Sequence, residues 1–344
     1  MRSILLRDYG GASAVQVAES PVPVATAGQV LVRVRAAGIN GLDWKVREGD
    51  VRDAFPLQLP AVLGIELAGV VEAVGPGATR FQVGDRVTHS YFTAWIDGEP
   101  DPVKTAAAFG THVDGTLAEY FIAPEATLVA IPDHLNYAEA ATLSCVGTTA
   151  WNTLFCDGGL LPGATILLQG TGGLSVFTLQ LAKAVGLHVI ITSSSDAKLV
   201  RARELGADAT INYRSNPEWQ EEVLRLTGGR GVDLTVEVGG TDTLSRSLAA
   251  TRMGGVVSVI GGLTGFGGAS IDPIALIAGA KRLNGIFVGS RVMLEDLNRL
   301  ISATKLRPLV DRVFRFDEVP QAYAYLESGR QFGKIVVQVA GSAD

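Results

Sequence analysis

The run Gly170-Thr171-Gly172-Gly173-Leu174-Ser175 is the stretch of this 344-residue sequence whose residue types and spacing specify chemistry most directly. It follows an apolar, strand-like run, TILLQ at 165–169, and opens a helical pattern that continues as FTLQLAKAVG. In that setting the first glycine permits a tight turn and the next lets backbone N–H groups approach a pyrophosphate. The helix N-terminus then adds partial positive charge. Ser175 stands where a third glycine is usual and is still small enough for helix–strand packing. Glycines alone also fit a purely structural turn; the strand before and the helix after favour nucleotide binding.

About twenty residues further on, an acidic side chain would accept the ribose hydroxyl of NAD and repel a 2′-phosphate. This chain has Ser193-Ser194-Ser195 there, followed by Asp196 and Lys198. Lys198 falls in the first turn of an expected helix, where a cation opposes the helix dipole; an anion docking nearby removes that penalty. Tyr213, at the end of the next strand, adds a hydroxyl. Ser194, Lys198 and Tyr213 together predict a 2′-phosphate site, and NADP(H) in preference to NAD. The competing reading is that Ser195 or Asp196 caps the helix and Lys198 is solvated.

These residues need strands and helices to hold them. After Asn136 the sequence reads as a helix over 137–155, then as strands at 165–169, 188–193, 208–213, 233–238, 256–261 and 284–289. Amphipathic segments of about ten residues separate them, the pattern of a doubly wound parallel sheet. Before that, residues 28–132 carry short β-type runs closed by turns, such as QVLVRVRAAG at 29–38 and LAGVVEAVG at 67–75. A closing strand, helix and strand after Pro308 return to this β-rich part. The expected division is 1–130 plus 306–344 for the β-rich domain and 131–305 for the nucleotide domain. Ligands are then expected in the cleft between them, at the carboxyl ends of the parallel strands.

Composition narrows the rest. The chain is 47% hydrophobic and 19% charged, too apolar for disorder. A net charge of −6 argues against nucleic acid, whose phosphates demand a basic face. Glycine, 41 residues, is about 12% against an average near 7%, as tight turns and close ligand approach require. Two cysteines make neither a disulfide framework nor a four-thiolate zinc site. The charge-free stretches 158–182 and 253–271 are broken by glycines and polar residues and read as buried sheet and loop, not membrane spans. No secretory signal opens the chain, so a cytoplasmic protein with reduced thiols and no membrane partner is expected.

With AAGINGLDWKVREGD at 36–50, LPAVLGIELAGVVEAVGPGATRFQVGDRV at 59–87, QGTGGLSVFTLQLAKAVG at 169–186 and FGKIVVQV at 332–339, nearly the whole chain resembles the medium-chain dehydrogenase/reductase superfamily. The first two and last of these segments look like its quinone oxidoreductase branch. ITSSSDAKLVRARELGADATINYR looks like NADP-dependent members of the alcohol dehydrogenase-like kind. The resemblance implies a Rossmann domain inserted into a GroES-like β-rich catalytic domain, in a homodimer or homotetramer. It aligns the catalytic zinc ligands of the alcohol dehydrogenases with Asn40, Ile65 and Cys145, a set that cannot hold zinc; no metal is expected. It also places Thr149, Val238, Gly239, Ile260, Gly261, Val288 and Gly289 along the ribose and nicotinamide, with Lys334 a further cofactor candidate.

Without a metal Lewis acid, reducing a ketone needs another acid to stabilise an alkoxide. A quinone or α,β-unsaturated carbonyl spreads the incoming charge through its π system, so one or two hydrogen-bond donors suffice. Asn40, Asp43 and Lys45 are the catalytic candidates: Asn40 as donor to nicotinamide or substrate oxygen, and Lys45 as a cationic donor where similar quinone reductases often carry tyrosine. Asp43 would hold Lys45 or Arg47. The plain alternative for these charges is a surface salt bridge. The expected activity is zinc-independent, NADPH-dependent reduction of quinones or enones. The alternatives are NADP-dependent alcohol or aldehyde oxidation without zinc, and an NADPH-binding sensor or structural protein with little turnover.

Overall fold

In the computed structural model, which describes residues 1–265 and 267–339, the chain forms two units, Met1–Thr148 with Val288–Asp344, and Thr149–Phe287. These boundaries differ from the 130/131 and 305/306 read from the sequence. Two helical segments account for the difference. The helix Arg291–Thr304 packs on the strand Leu128–Ala130 and on the turn Leu143–Gly147 of the first unit, and Asn298 Nδ2 donates to Ala130 O at 2.9 Å. Helical periodicity says that a face is buried, not which core receives it.

The second unit is built on six parallel strands in the spatial order Ala209–Asn212, His188–Ser193, Thr165–Leu168, Val232–Glu237, Thr251–Val259, Arg282–Gly285. This is the two-halved dinucleotide order, third-second-first-fourth-fifth-sixth. Central strands covered on both faces need unbroken apolar runs, and Ile166, Leu167, Leu168, Val189, Ile191, Leu234 and Val236 are all fully buried. The first strand sits in the middle, so the glycine loop that follows it lies where the winding direction reverses. The sixth strand ends at Gly285 rather than at 289. Beyond it Val288 takes φ +53°, a left-handed conformation that a β-branched residue adopts only under constraint.

The expected continuous helix over 137–155 is instead broken into α-helical Tyr137–Ala140, π-helical Leu143–Gly147, α-helical Thr148–Trp151 and π-helical Asn152–Asp157. Within the first π turn, Glu66 Oε1 accepts from Cys145 N at 3.1 Å and Val146 N at 2.9 Å. A carboxylate supplied by a distant strand leaves no mark on local periodicity.

The first unit carries a seven-stranded sheet and a small three-stranded one. The long strand Gln29–Ile39 pairs antiparallel with Glu66–Val74, Tyr120–Pro124 and the closing strand Lys334–Gln338. Its Val30, Val32, Val34, Ala37 and Ile39 join one core with Leu67, Phe121, Tyr323, Ile335 and Val337. The helix Gly41–Glu48 follows directly, capped by Asn40 and ended by left-handed Gly49 at φ +82°, the usual residue for that stop.

Candidate functional site

Gly170 leaves the first parallel strand at φ +70°, a conformation glycine reaches without strain. Its N–H donates to Thr192 Oγ1 at 3.2 Å, and Thr171 Oγ1 meets Ser193 Oγ at 3.2 Å. Gly172 stands at the N-cap of the 12-residue helix Gly173–Ala184 and, being glycine, makes no side-chain capping bond. A Cβ added at Gly170 or Gly172 would meet nothing within 4 Å. Open space and the N-terminal amides of a helix make a cradle that fits a phosphate group. Gly173 and Leu174 continue from it, both half-buried.

Ser193 pairs with Asn212 across the adjacent strand, and Tyr213 N donates to Ser193 O at 3.1 Å. Ser194, half-buried, and Tyr213, 40% exposed, therefore stand side by side at one sheet edge. Ser195 caps the next helix by accepting from Lys198 N at 3.5 Å. Asp196, the acidic residue nearest the expected ribose position, accepts from Asn212 Nδ2 at 2.7 Å. Val238, Gly239, Ile260 and Gly261 follow the fourth and fifth strands and so lie on the same edge as the glycine loop. Thr149, 4% exposed, begins the second unit, with its carbonyl accepting from Thr153 Oγ1 at 2.7 Å.

Four of the candidates have surroundings that the sequence did not show. Val288 and Gly289 belong to the first unit, where Val288 packs with Ile65, Tyr91, Phe92, Trp95 and Cys145, because the sixth strand stops short of them. Lys334 is 4% exposed; its ammonium pairs with Glu66 Oε2 and donates to Ile39 O at 2.9 Å. It is the buried counter-ion of Glu66. Lys45 pairs with Asp50 Oδ2 at 2.7 Å and lies over the Trp44 ring at 4.5 Å, so the surface salt bridge is the arrangement found.

Asn40 and Asp43 do come together. Asp43 Oδ2 accepts from Asn40 N at 2.8 Å, and Asn40 Oδ1 accepts from Leu42 N at 3.3 Å. That second bond orients the amide and leaves Asn40 Nδ2 buried without a partner among the described residues. Asp43 is fully buried, holds neither Lys45 nor Arg47 by a hydrogen bond, and keeps Oδ1 unpartnered among the described residues. Burial pushes its carboxyl up to about 7, against the Asn40 N–H and the Lys334 charge, which favour the anion. Arg47 pairs with Glu48 and with Glu327 at 2.6 Å. His89 is likewise fully buried, packed on Phe109 and Phe121, and burial lowers it to about 4. Tyr91, Phe92 and Trp95 form buried core.

Two domain families match the chain: the alcohol dehydrogenase GroES-like domain over residues 26–133 and zinc-binding dehydrogenase over residues 173–303. A zinc-type alcohol dehydrogenase-like protein of Schizosaccharomyces pombe is 40% identical over 319 residues, 91% of each chain. The chain belongs to the medium-chain dehydrogenase/reductase superfamily. It is an oxidoreductase, in a family that binds a nicotinamide cofactor. The crystal structure of a putative alcohol dehydrogenase from Sinorhizobium meliloti matches with a TM-score of 0.90 at 40% identity, covering 98% of each chain. Human quinone oxidoreductase is 26% identical over 338 residues, 96% of this chain and 94% of its own.

The residues of this medium-chain dehydrogenase/reductase do not fit a catalytic zinc. At the three positions that the sequence resemblance matches to zinc ligands, Asn40 spends its oxygen on the helix cap and Ile65 is buried in an apolar cluster. Only Cys145 has a ligating group, and one thiolate does not make a site. Among the described residues no group of three or more His, Cys, Asp or Glu side chains could hold a metal ion. Sequence reasoning missed the Glu66–Lys334 pair, separated by 268 positions, and the buried set of Gln169, Glu237 and Ser247 under the glycine loop. The one sequence signal for the latter was a glutamate inside the otherwise apolar strand run DLTVEV.

Proposed function

We propose that this protein is a zinc-independent, NADPH-dependent reductase of quinones or α,β-unsaturated carbonyls. The observation that carries the reading is Asn40: at the position of a zinc ligand stands a buried amide N–H donor with no partner among the described residues. NADPH, when bound, supplies a hydride. The task left to this chain is to hold the acceptor oxygen as it takes on negative charge, and Asn40 Nδ2 does so by hydrogen bonding. Asp43 is a positioning residue, fixing Asn40 through its backbone N–H. A conjugated acceptor suits one neutral donor, whereas a simple alkoxide demands a stronger acid.

Selectivity for NADP(H) is supported by Ser194 and Tyr213 at one sheet edge, by Lys198 in the first turn of the helix that follows Ser195, and by Asp196 being taken up by Asn212. Lys198→Ala should raise the Kd for NADPH while leaving that for NADH unchanged. Activity is tested by NADPH oxidation with quinone and enone panels, beside NADP reduction with alcohol panels, each with and without chelator. Turnover of quinones or enones unaffected by chelation is expected. Loss of activity on chelation, turnover confined to alcohols, or tight NADPH binding without turnover would each overturn the reading.

The same reading takes the protein as a homodimer in the cytoplasm, with a small-molecule substrate and no nucleic-acid or membrane partner. No helix among the described residues is long and apolar enough to cross a membrane. The helix Pro273–Gly279 has no buried residue, with Ile274 and Ile277 exposed by 65% and 74%. It precedes the edge strand Arg282–Gly285. An exposed apolar helix beside an open strand edge supports a second copy as the partner that covers it.

A further inference from the structure

We propose that Gln169, Glu237 and Ser247 form a buried frame that holds the glycine loop in its phosphate-receiving shape, making Gln169 and Glu237 positioning residues for the dinucleotide pyrophosphate. The proposal rests on the reading of that loop as a nicotinamide-dinucleotide site. Gln169 immediately precedes Gly170 and is 7% exposed; Glu237 and Ser247 are fully buried.

Gln169 reaches three ways. Its carbonyl accepts from Ser175 Oγ at 2.6 Å, in the first turn of the helix. Its Nε2 donates to Glu237 Oε2 at 2.8 Å and to Ser247 Oγ at 2.7 Å. Its Oε1 accepts from Val238 N and Gly239 N, both at 3.2 Å. Glu237 Oε1 accepts from Gly239 N at 2.7 Å, Gly240 N at 2.8 Å and Thr243 Oγ1 at 2.6 Å. Ser247 donates its hydroxyl to Glu237 Oε2.

Every bond in this set has a forced direction. Backbone N–H groups and the Thr243 hydroxyl make Glu237 an acceptor throughout, and Gln169 must accept from one side while donating to the other. A buried network of this kind has one low-energy arrangement, because a reversed or missing partner leaves a desolvated polar group. A Cβ at Gly170 or Gly172 would meet nothing within 4 Å, so the loop's shape is set from below. The frame joins the loop after the first strand to the 238–240 turn after the fourth.

Exchange of the two side chains tests this. Gln169→Glu puts two carboxyl groups against each other, and such a pair holds a shared proton at low pH and repels at high pH. The remaining neighbours of the pair, the amides of residues 238–240 and the hydroxyls of Thr243 and Ser247, do not titrate in this range. NADPH affinity relative to wild type should be near normal at about pH 6 and fall by about tenfold or more by about pH 8.5. Glu237→Gln alone sets donors against donors and should weaken binding at every pH. The double exchange restores alternating donors and acceptors and should recover affinity without pH dependence, which a merely structural role does not predict. Fluorescence titration gives the Kd values, with thermal melts confirming that each variant is folded. Should Gln169→Glu not fold at high pH, Ser247→Ala at neutral pH carries the test, with a rise of at least about threefold in Kd expected. A Gln169→Glu variant that follows wild type at all pH values, a double exchange no better than Glu237→Gln, or an unchanged Ser247→Ala overturns the proposal. Failure of the wild-type protein to bind NADPH would instead overturn the dinucleotide reading.

Discussion

Asp43 and His89 are both fully buried, and burial drives both towards the neutral form from opposite sides. Folded Asp43 keeps its proton up to about 7 while the unfolded carboxyl loses it near 3.8. Its contribution to stability is complete below that lower value and is lost as pH rises to about 7. His89 runs the other way: the unfolded imidazole takes up a proton below 6.5, the folded one only near 4. Its contribution is complete above 6.5 and is lost as pH falls. The two slopes oppose each other over about pH 4 to 6.5, each worth at most ~3 kcal/mol. In urea unfolding at a series of pH values, Asp43→Asn should make stability rise more steeply with pH than wild type, and His89→Gln should make it fall. Identical profiles for all three proteins would show that neither group titrates as described.

Elements set what single residues can do. Gly172 lies at φ −79°, ψ −176° with open space over its Cα, so an alanine there meets neither strain nor a neighbour. Gly172→Ala should stay within ~0.5 kcal/mol of wild-type stability while losing NADPH affinity, because the methyl takes the place of a phosphate. Retained affinity would mean that the loop does not receive the pyrophosphate. The Glu66–Lys334 pair joins the central strand Glu66–Val74, the closing strand Lys334–Gln338 and the π turn Leu143–Gly147. Lys334→Met leaves Glu66 buried and uncompensated, at a cost of about 3–5 kcal/mol in denaturant unfolding. Adding Glu66→Gln should recover most of that loss, since the amide oxygen still accepts from Cys145 and Val146. A cost below ~1 kcal/mol for Lys334→Met would show the pair to be energetically idle.

At the scale of the whole molecule, the edge strand Arg282–Gly285 and the exposed helix before it predict assembly. Light scattering should give twice the 36.0 kDa chain mass for wild type and a single chain mass for Ile277→Asp, with the melting profile showing that the variant folds. A wild-type monomer would leave the apolar helix without the proposed partner.

The doubly wound sheet was legible because parallel strands covered on both faces leave uninterrupted apolar runs, and the glycine loop because glycine's freedom is needed where it stands. The neighbourhood of Ser194 and Tyr213 was likewise legible by counting along the chain, since strand length fixes what lies at a strand's end. The partners of Lys45 and Lys334 were not legible for one shared reason. Where a lysine's charge goes depends on which carboxylate lies within reach, and chain folding, not spacing, decides that: Asp50 for one and Glu66 for the other. The unit boundaries, the π turns and the Gln169–Glu237–Ser247 frame were decided by contacts between segments far apart in sequence. Local pattern records what each segment buries, whereas partner choice exists only once the chain has closed.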